Sequence, residues 1–149
     1  MKKRLTRELA VQSLYQMEMN EVGAQEAVMM LLVEASEDNE SGVGSVGNPD
    51  EAREQIMELV AGVIEHKTAI DGMLEQYLKN WQISRLSRVD REVLRLAAYE
   101  MIFRDDVPAK VAVNEAIELS KHFGTEESGK FVNGVLGKMI QDLDKLKNL

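Results

Sequence analysis

The chain has 149 residues, 44% of them hydrophobic, with two prolines and no cysteine. That length supports one hydrophobic core, and the missing cysteine excludes disulfides and thiolate metal sites and fits a reducing cytosol. A net charge of −8 argues against binding a polyanion over the whole surface. A small, locally basic site is still compatible with it, because the acids are segregated: Glu34 to Glu51 holds acids and no base.

Low proline and modest glycine favour an all-α fold. The opening MKKRLTRE is basic, but apolar and polar residues alternate after it, so no signal peptide is expected. No run approaches the roughly 18 apolar residues of a membrane span. A first helix is predicted to about Asn20, with Leu5, Leu9, Leu14 and Met17 near helical spacing. Lys2, Lys3, Arg4 and Arg7 crowd its start, the end where the helix dipole prefers acids. The residues alone favour a solvated basic tail there; counterion release makes an anionic partner the competing reading.

A second helix is predicted over Gly23 to Ser36. Ser36 to Asp50 then loses any apolar period and reads as a flexible loop. Asn48 is suited to cap a third helix with Pro49 at its first position, and Ile56, Leu59, Val60, Val63 and Ile64 form its apolar face. Thr68 is the expected cap of a fourth helix containing Ile70, Met73, Leu74, Tyr77 and Leu78. His66 has no partner at metal-ligand spacing. Lys79 to Ser87 joins two helical halves, near 1–80 and 81–149, with Trp81 expected to pack in the joint. About seven helices are expected in all.

Ser87 to Asp90 resembles a capping box. The helix it opens carries apolar residues from Val89 to Ile102 at so many positions that burial on more than one side follows. Arg85, Arg88, Arg91 and Arg95 share one side of it; a solvated face is favoured there over an RNA-binding stripe. Pro108 starts the next helix, with Lys121 and His122 in its last turn and Gly124 as a left-handed stop. Thr125 is the N-cap of the last long helix, which Gln141 to Leu149 extends as a fraying tail. Phe123 sits on the break between the two. An aromatic beside the N–H groups of a helix start suits an unpaired base and a phosphate. No Walker loop, GxGxxG, HExxH or GxSxG motif occurs, so the chain is read as a non-enzyme without cofactor or metal.

VAVNEAIELSKHFGTEESGKFVNGVLGK (Val111 to Lys138) resembles the C-terminal signature of the NusB family of transcription antitermination factors. LSRVDREVLRLAAYEMIFRDDVPAKVAVNEA (Leu86 to Ala116) and RLTRELAVQSLYQ (Arg4 to Gln16) extend the resemblance; Glu21 to Pro49 lies outside it. It implies a single RNA-binding domain of two helical subdomains. It also implies joint binding of boxA-type single-stranded RNA with NusE, a small-subunit ribosomal protein, within an RNA polymerase antitermination complex that reads through terminators in rRNA operons. By position, the resemblance puts RNA contacts at Lys2, Lys3, Arg4, Arg7, Tyr77, Phe123, Gly124, Thr125, Glu126, Ser128, Lys130 and Asn133, and NusE contacts at Tyr15 and Asp90. Tyr77 is equally readable as a core residue and Asp90 as a simple cap. The family relation also leaves open a homodimer, an accessory RNA-binding module of an rRNA methyltransferase, and a homo-oligomeric scaffold without RNA recognition.

Overall fold

The computed structural model describes residues 3–38, 47–78 and 83–148. Among them are α1 (Lys3–Asn20), α2 (Ala24–Asp38), α3 (Pro49–Glu65), α4 (Lys67–Glu75), a 3-10 turn (Ile83–Arg85), α5 (Arg88–Phe103), α6 (Ala109–Phe123), α7 (Glu126–Gln141) and α8 (Leu143–Lys147). The described residues are all-α. Contacts group the chain into two units, Met1–Gly62 and Val63–Leu149. Lys2, Trp81 and most of the predicted 36–50 loop lie outside the described residues; α2 itself continues to Asp38.

In the first unit α1 packs against α2. Leu9, Ala10, Val11 and Leu14 are buried on one helix, and Ala27, Val28, Leu31 and Leu32 on the other. The buried Ser13 hydroxyl donates to the Leu9 carbonyl at 2.7 Å, so it adds no unsatisfied group to this core. The α1–α2 turn holds Glu21 at φ 53°, a left-handed conformation costly for glutamate. Asn48 caps α3 as the sequence predicts: its Oδ1 accepts from the Asp50 and Glu51 N–H groups at 3.0 and 3.4 Å.

In the second unit α5 packs against α4, α6, α7 and α8, and every residue from Arg91 to Ile102 is buried. Its start is fixed by Ser87 Oγ, which accepts from the Asp90 N–H at 3.1 Å. Ser87→Ala should therefore cost about 0.5–2 kcal/mol. Thermal or urea unfolding of the two proteins measures it, and equal stability would mean the cap is idle.

Several expectations need correction. The N-cap of α4 is His66, without a side-chain cap bond, not Thr68. This helix stops at Glu75, so Tyr77 and Leu78 lie beyond it. His66 instead stacks on Phe103, ring centroids 4.0 Å apart. The arginine side of α5 is neither a solvated face nor an RNA stripe along its length. Arg85 and Arg88 are exposed, but Arg91 and Arg95 are each 7% exposed. Arg91 donates to the Ile83 carbonyl, and Arg95 pairs with Asp71 and Glu92. The tail does not simply extend α7. The chain breaks at Asp142 and re-enters a helix as α8, because Leu146 gains burial there (3% exposed).

Candidate functional site

The α6–α7 turn is two residues long, Gly124 and Thr125. Buried residues on both helices hold it: Ala116 and Leu119 on α6, Val132, Val135 and Leu136 on α7. The Gly124 N–H closes α6 on the Ser120 carbonyl at 2.8 Å. The expected left-handed stop does not occur, since Gly124 has φ −125° and ψ −124°. Close approach selects glycine instead. A Cβ there would lie 2.6 Å from Ser128 Oγ and 3.0 Å from the Ser120 carbonyl oxygen. Thr125 is the N-cap as predicted, its Oγ1 accepting from the Ser128 N–H at 3.3 Å.

Around that turn Phe123 is half-buried, and His122 meets it edge-to-face with centroids 4.9 Å apart. Gly124, Thr125, Glu126, Lys130 and Asn133 are exposed, and Ser128 is half-buried. Glu126, Lys130 and Asn133 follow i, i+4, i+7 spacing, which makes them one stripe along α7 leading away from the turn. Lys130 lies 3.5 Å from Glu127. Glu126 and Glu127 occupy the first turn of α7, where they already offset the helix dipole. The turn thus offers an aromatic face, a carboxylate acceptor, an amide and an ammonium. That set suits the faces and edges of bases better than a phosphate alone.

The sequence reading missed Lys121 and Gly129 as a pair. Gly129 is buried, and a Cβ on it would come within 2.9 Å of Lys121 Cγ. The lysine stem lies over the glycine, and its ammonium sits 4.0 Å from both Glu118 and Glu126. Spacing alone could flag only a glycine in a first helical turn, where it weakens the helix unless something packs on it.

The remaining candidates separate. Lys3 and Arg4 are exposed on the first turn of α1, whereas Arg7 is 6% exposed and is not a surface cation. Tyr15 on α1 and Asp90 in the first turn of α5 are both half-exposed. Tyr77 is not near the α6–α7 turn. Its hydroxyl donates to Asp142 Oδ2 at 2.7 Å, at the far end of α7 and about 25 Å of helix rise from Thr125. Burial first, then the Asp142 hydrogen bond and charge, push the Tyr77 phenol up to about 12. The folded state therefore favours the neutral phenol. Its stabilising share is intact below pH 10, the ordinary value, and is lost as pH rises from 10 through about 12. Absorbance titration at 295 nm should show one tyrosine ionising near 12, brought down by Asp142→Asn; coincident ionisation of all tyrosines near 10 would contradict this contact.

Among the described residues no group of three or more His, Asp or Glu side chains could hold a metal, and no helix is long and apolar enough to cross a membrane. The described residues form an all-α protein of two helical units, with an exposed polar and aromatic turn between α6 and α7. A profile of the NusB family matches residues 4–141. The transcription antitermination protein NusB of Bacillus licheniformis is 46% identical over 97% of this chain and 100% of its own length. Its Bacillus subtilis counterpart is 39% identical over 97% of the chain and 99% of its own. The solved Thermotoga structure, T. maritima NusB, superposes with a TM-score of 0.79 at 32% identity, covering 100% of this chain and 99% of that one. A crystal structure of antitermination factors NusB and NusE in complex with dsRNA matches with a TM-score of 0.78 at 28% identity, over 93% and 96% of the two chains. The chain belongs to the NusB family. It is accordingly a transcription antitermination factor and not an enzyme.

Proposed function

We propose that this chain binds boxA-type single-stranded RNA jointly with NusE, in the cytoplasm, and that the complex promotes read-through by RNA polymerase in rRNA operons. The observation that carries the reading is the α6–α7 turn, where a half-buried Phe123 stands beside exposed polar groups of a helix start. In this reading Phe123 stacks on a base, while Glu126, Ser128, Lys130 and Asn133 meet base edges and sugar hydroxyls. Lys3 and Arg4 neutralise phosphates. Tyr15 and Asp90 meet NusE, the carboxylate of Asp90 suiting a basic ribosomal protein. Because the Tyr77 hydroxyl donates to Asp142 and Arg7 is buried, the reading rests on Phe123, Lys3 and Arg4 rather than on Tyr77 and Arg7. The related complex of NusB and NusE with dsRNA supports the partnership with NusE and with RNA.

Transcription in vitro tests it. A template carries a boxA element upstream of a terminator, and read-through is measured with this chain, NusE, both, or neither. Read-through should rise only when both are present and only with an intact boxA. A scrambled boxA that responds equally would remove the RNA-recognition part of the proposal.

A further inference from the structure

The protein's negative charge is concentrated on one segment. Residues 23–65 contain ten acids and one base, a net charge of −9, whereas the rest of the chain sums to +1. Within that segment, helix α2 alone supplies three of the seven large hydrophobic side chains that are exposed among the described residues: Met29 at 45%, Met30 at 42% and Val33 at 53%. They follow one another on α2 within little more than one turn. Met29 and Val33 face the start of α3 across an open cavity of about 250 Å³, with Leu32 on the α2 side and Pro49 and Arg53 opposite.

The rim of this groove is acidic. Glu26 stands one turn before Met29, and Asp50 and Glu54 are one turn apart on α3; all three are exposed. The single base, Arg53, lies 3.8 Å from Asp50, so it meets an acid already on its own helix.

We propose that the α2–α3 groove is a docking site for a cationic amphipathic helix of a partner protein, distinct from the RNA-binding turn. Two helices bordering an apolar trough receive a third helix through apolar anchors at i, i+3 or i+4 and i+7. Methionine, unbranched and polarisable, adapts to the anchor that arrives. The acidic rim supplies the complementary half, drawing in lysine and arginine beside those anchors and repelling competitors of the same sign. Charge also discriminates between occupants. Nucleic acid is repelled by a segment of net −9. A second copy of this chain, meeting the groove with its own like face in an isologous contact, would bring two such segments together.

The probe is a fluorescein-labelled 18-residue peptide of leucine and lysine, with the leucines on one helical face. A control peptide has the same lysines and serine in place of leucine. Anisotropy is read with the full chain at two salt concentrations. The amphipathic probe should bind at least tenfold more tightly than the control. Met29→Ser with Val33→Ser should remove that advantage, and Glu26→Gln with Glu54→Gln should weaken binding several-fold and reduce its salt dependence. These substitutions lie on the surface, and circular dichroism checks that the helices persist. RNA binding by each variant should match the parent. Equal binding of the two peptides, a response to the charge variants alone, or a concentration-dependent dimer abolished by Met29→Ser with Val33→Ser would each overturn the proposal.

Discussion

Arg95→Ala is expected to lower the free energy of unfolding by about 3–5 kcal/mol. Arg95 presents its guanidinium to two carboxylates. Nε and one terminal nitrogen meet Asp71 at 2.8 and 2.9 Å, and the other terminal nitrogen meets Glu92 at 2.5 Å. The Arg95 and Glu92 side chains are 9% and 4% exposed, and that of Asp71 is 22%. Burial works against the charge on Arg95, but the bonds and charges of Asp71 and Glu92 outweigh it, so its pKa is held above the ordinary value. Removing the arginine leaves two like charges near each other, one of them buried. The loss is therefore desolvation and repulsion as much as a missing bond. Asp71→Asn should cost less, since Glu92 still faces the cation and the amide still hydrogen-bonds. Urea unfolding of the three proteins, followed by circular dichroism, decides it. Arg95→Ala within 1 kcal/mol of the parent would show that the cluster contributes little net stability. The pair also joins α4 to α5, the helix on which the second unit is built, so this loss should spread to the α6–α7 hairpin through α5.

Phe123→Ala should weaken RNA binding by about 1–3 kcal/mol, roughly 5- to 150-fold, while leaving the fold intact. The side chain is half-buried at a turn, outside the core that orders α6 and α7. Its contribution is stacking, which depends weakly on salt. Lys3→Ala with Arg4→Ala should behave the opposite way, flattening the plot of log affinity against log salt by about 0.7 for each phosphate that is no longer neutralised. The two variants thus separate base stacking from charge neutralisation. Titration of labelled RNA at several salt concentrations measures both. A parallel salt plot for the arm variant, or unchanged affinity for Phe123→Ala, would detach that element from the RNA.

What could be read from the chain itself was mostly local. Asn48, Ser87 and Thr125 are legible as caps because their bonds close within three residues, and each makes the bond expected. Burial along α5 was legible from its apolar density. The polar groups on that helix were not. Arg95 is buried because Asp71, 24 positions earlier, meets it, and no periodicity encodes such a partner. Tyr77 fits helical spacing with Ile70 and Leu74, yet its decisive contact is Asp142, 65 residues away. Gly124 was legible as a stop, but its reason is the proximity of Ser120 and Ser128 rather than a left-handed backbone. In the candidate site, the α6–α7 turn was visible as a cluster of aromatic, glycine and hydroxyl residues. Arg7 was grouped with Lys3 and Arg4 by sequence neighbourhood, while the helix turns it into the buried face. Composition reported the groove between α2 and α3 only as acidity, because its apolar lining comes from two helices.

The most direct measurement of the central claim is anisotropy of a labelled boxA-type single strand titrated with this chain, alone and with saturating NusE. A scrambled strand and the same sequence as a duplex serve as competitors. Joint recognition by this chain and NusE predicts preference for the boxA single strand, a clear gain in affinity with NusE, and loss of most of that affinity in Phe123→Ala. Equal binding of boxA and scrambled strands, unchanged by NusE, would contradict it; preference for the duplex would move recognition from an unpaired base on Phe123 to helical shape.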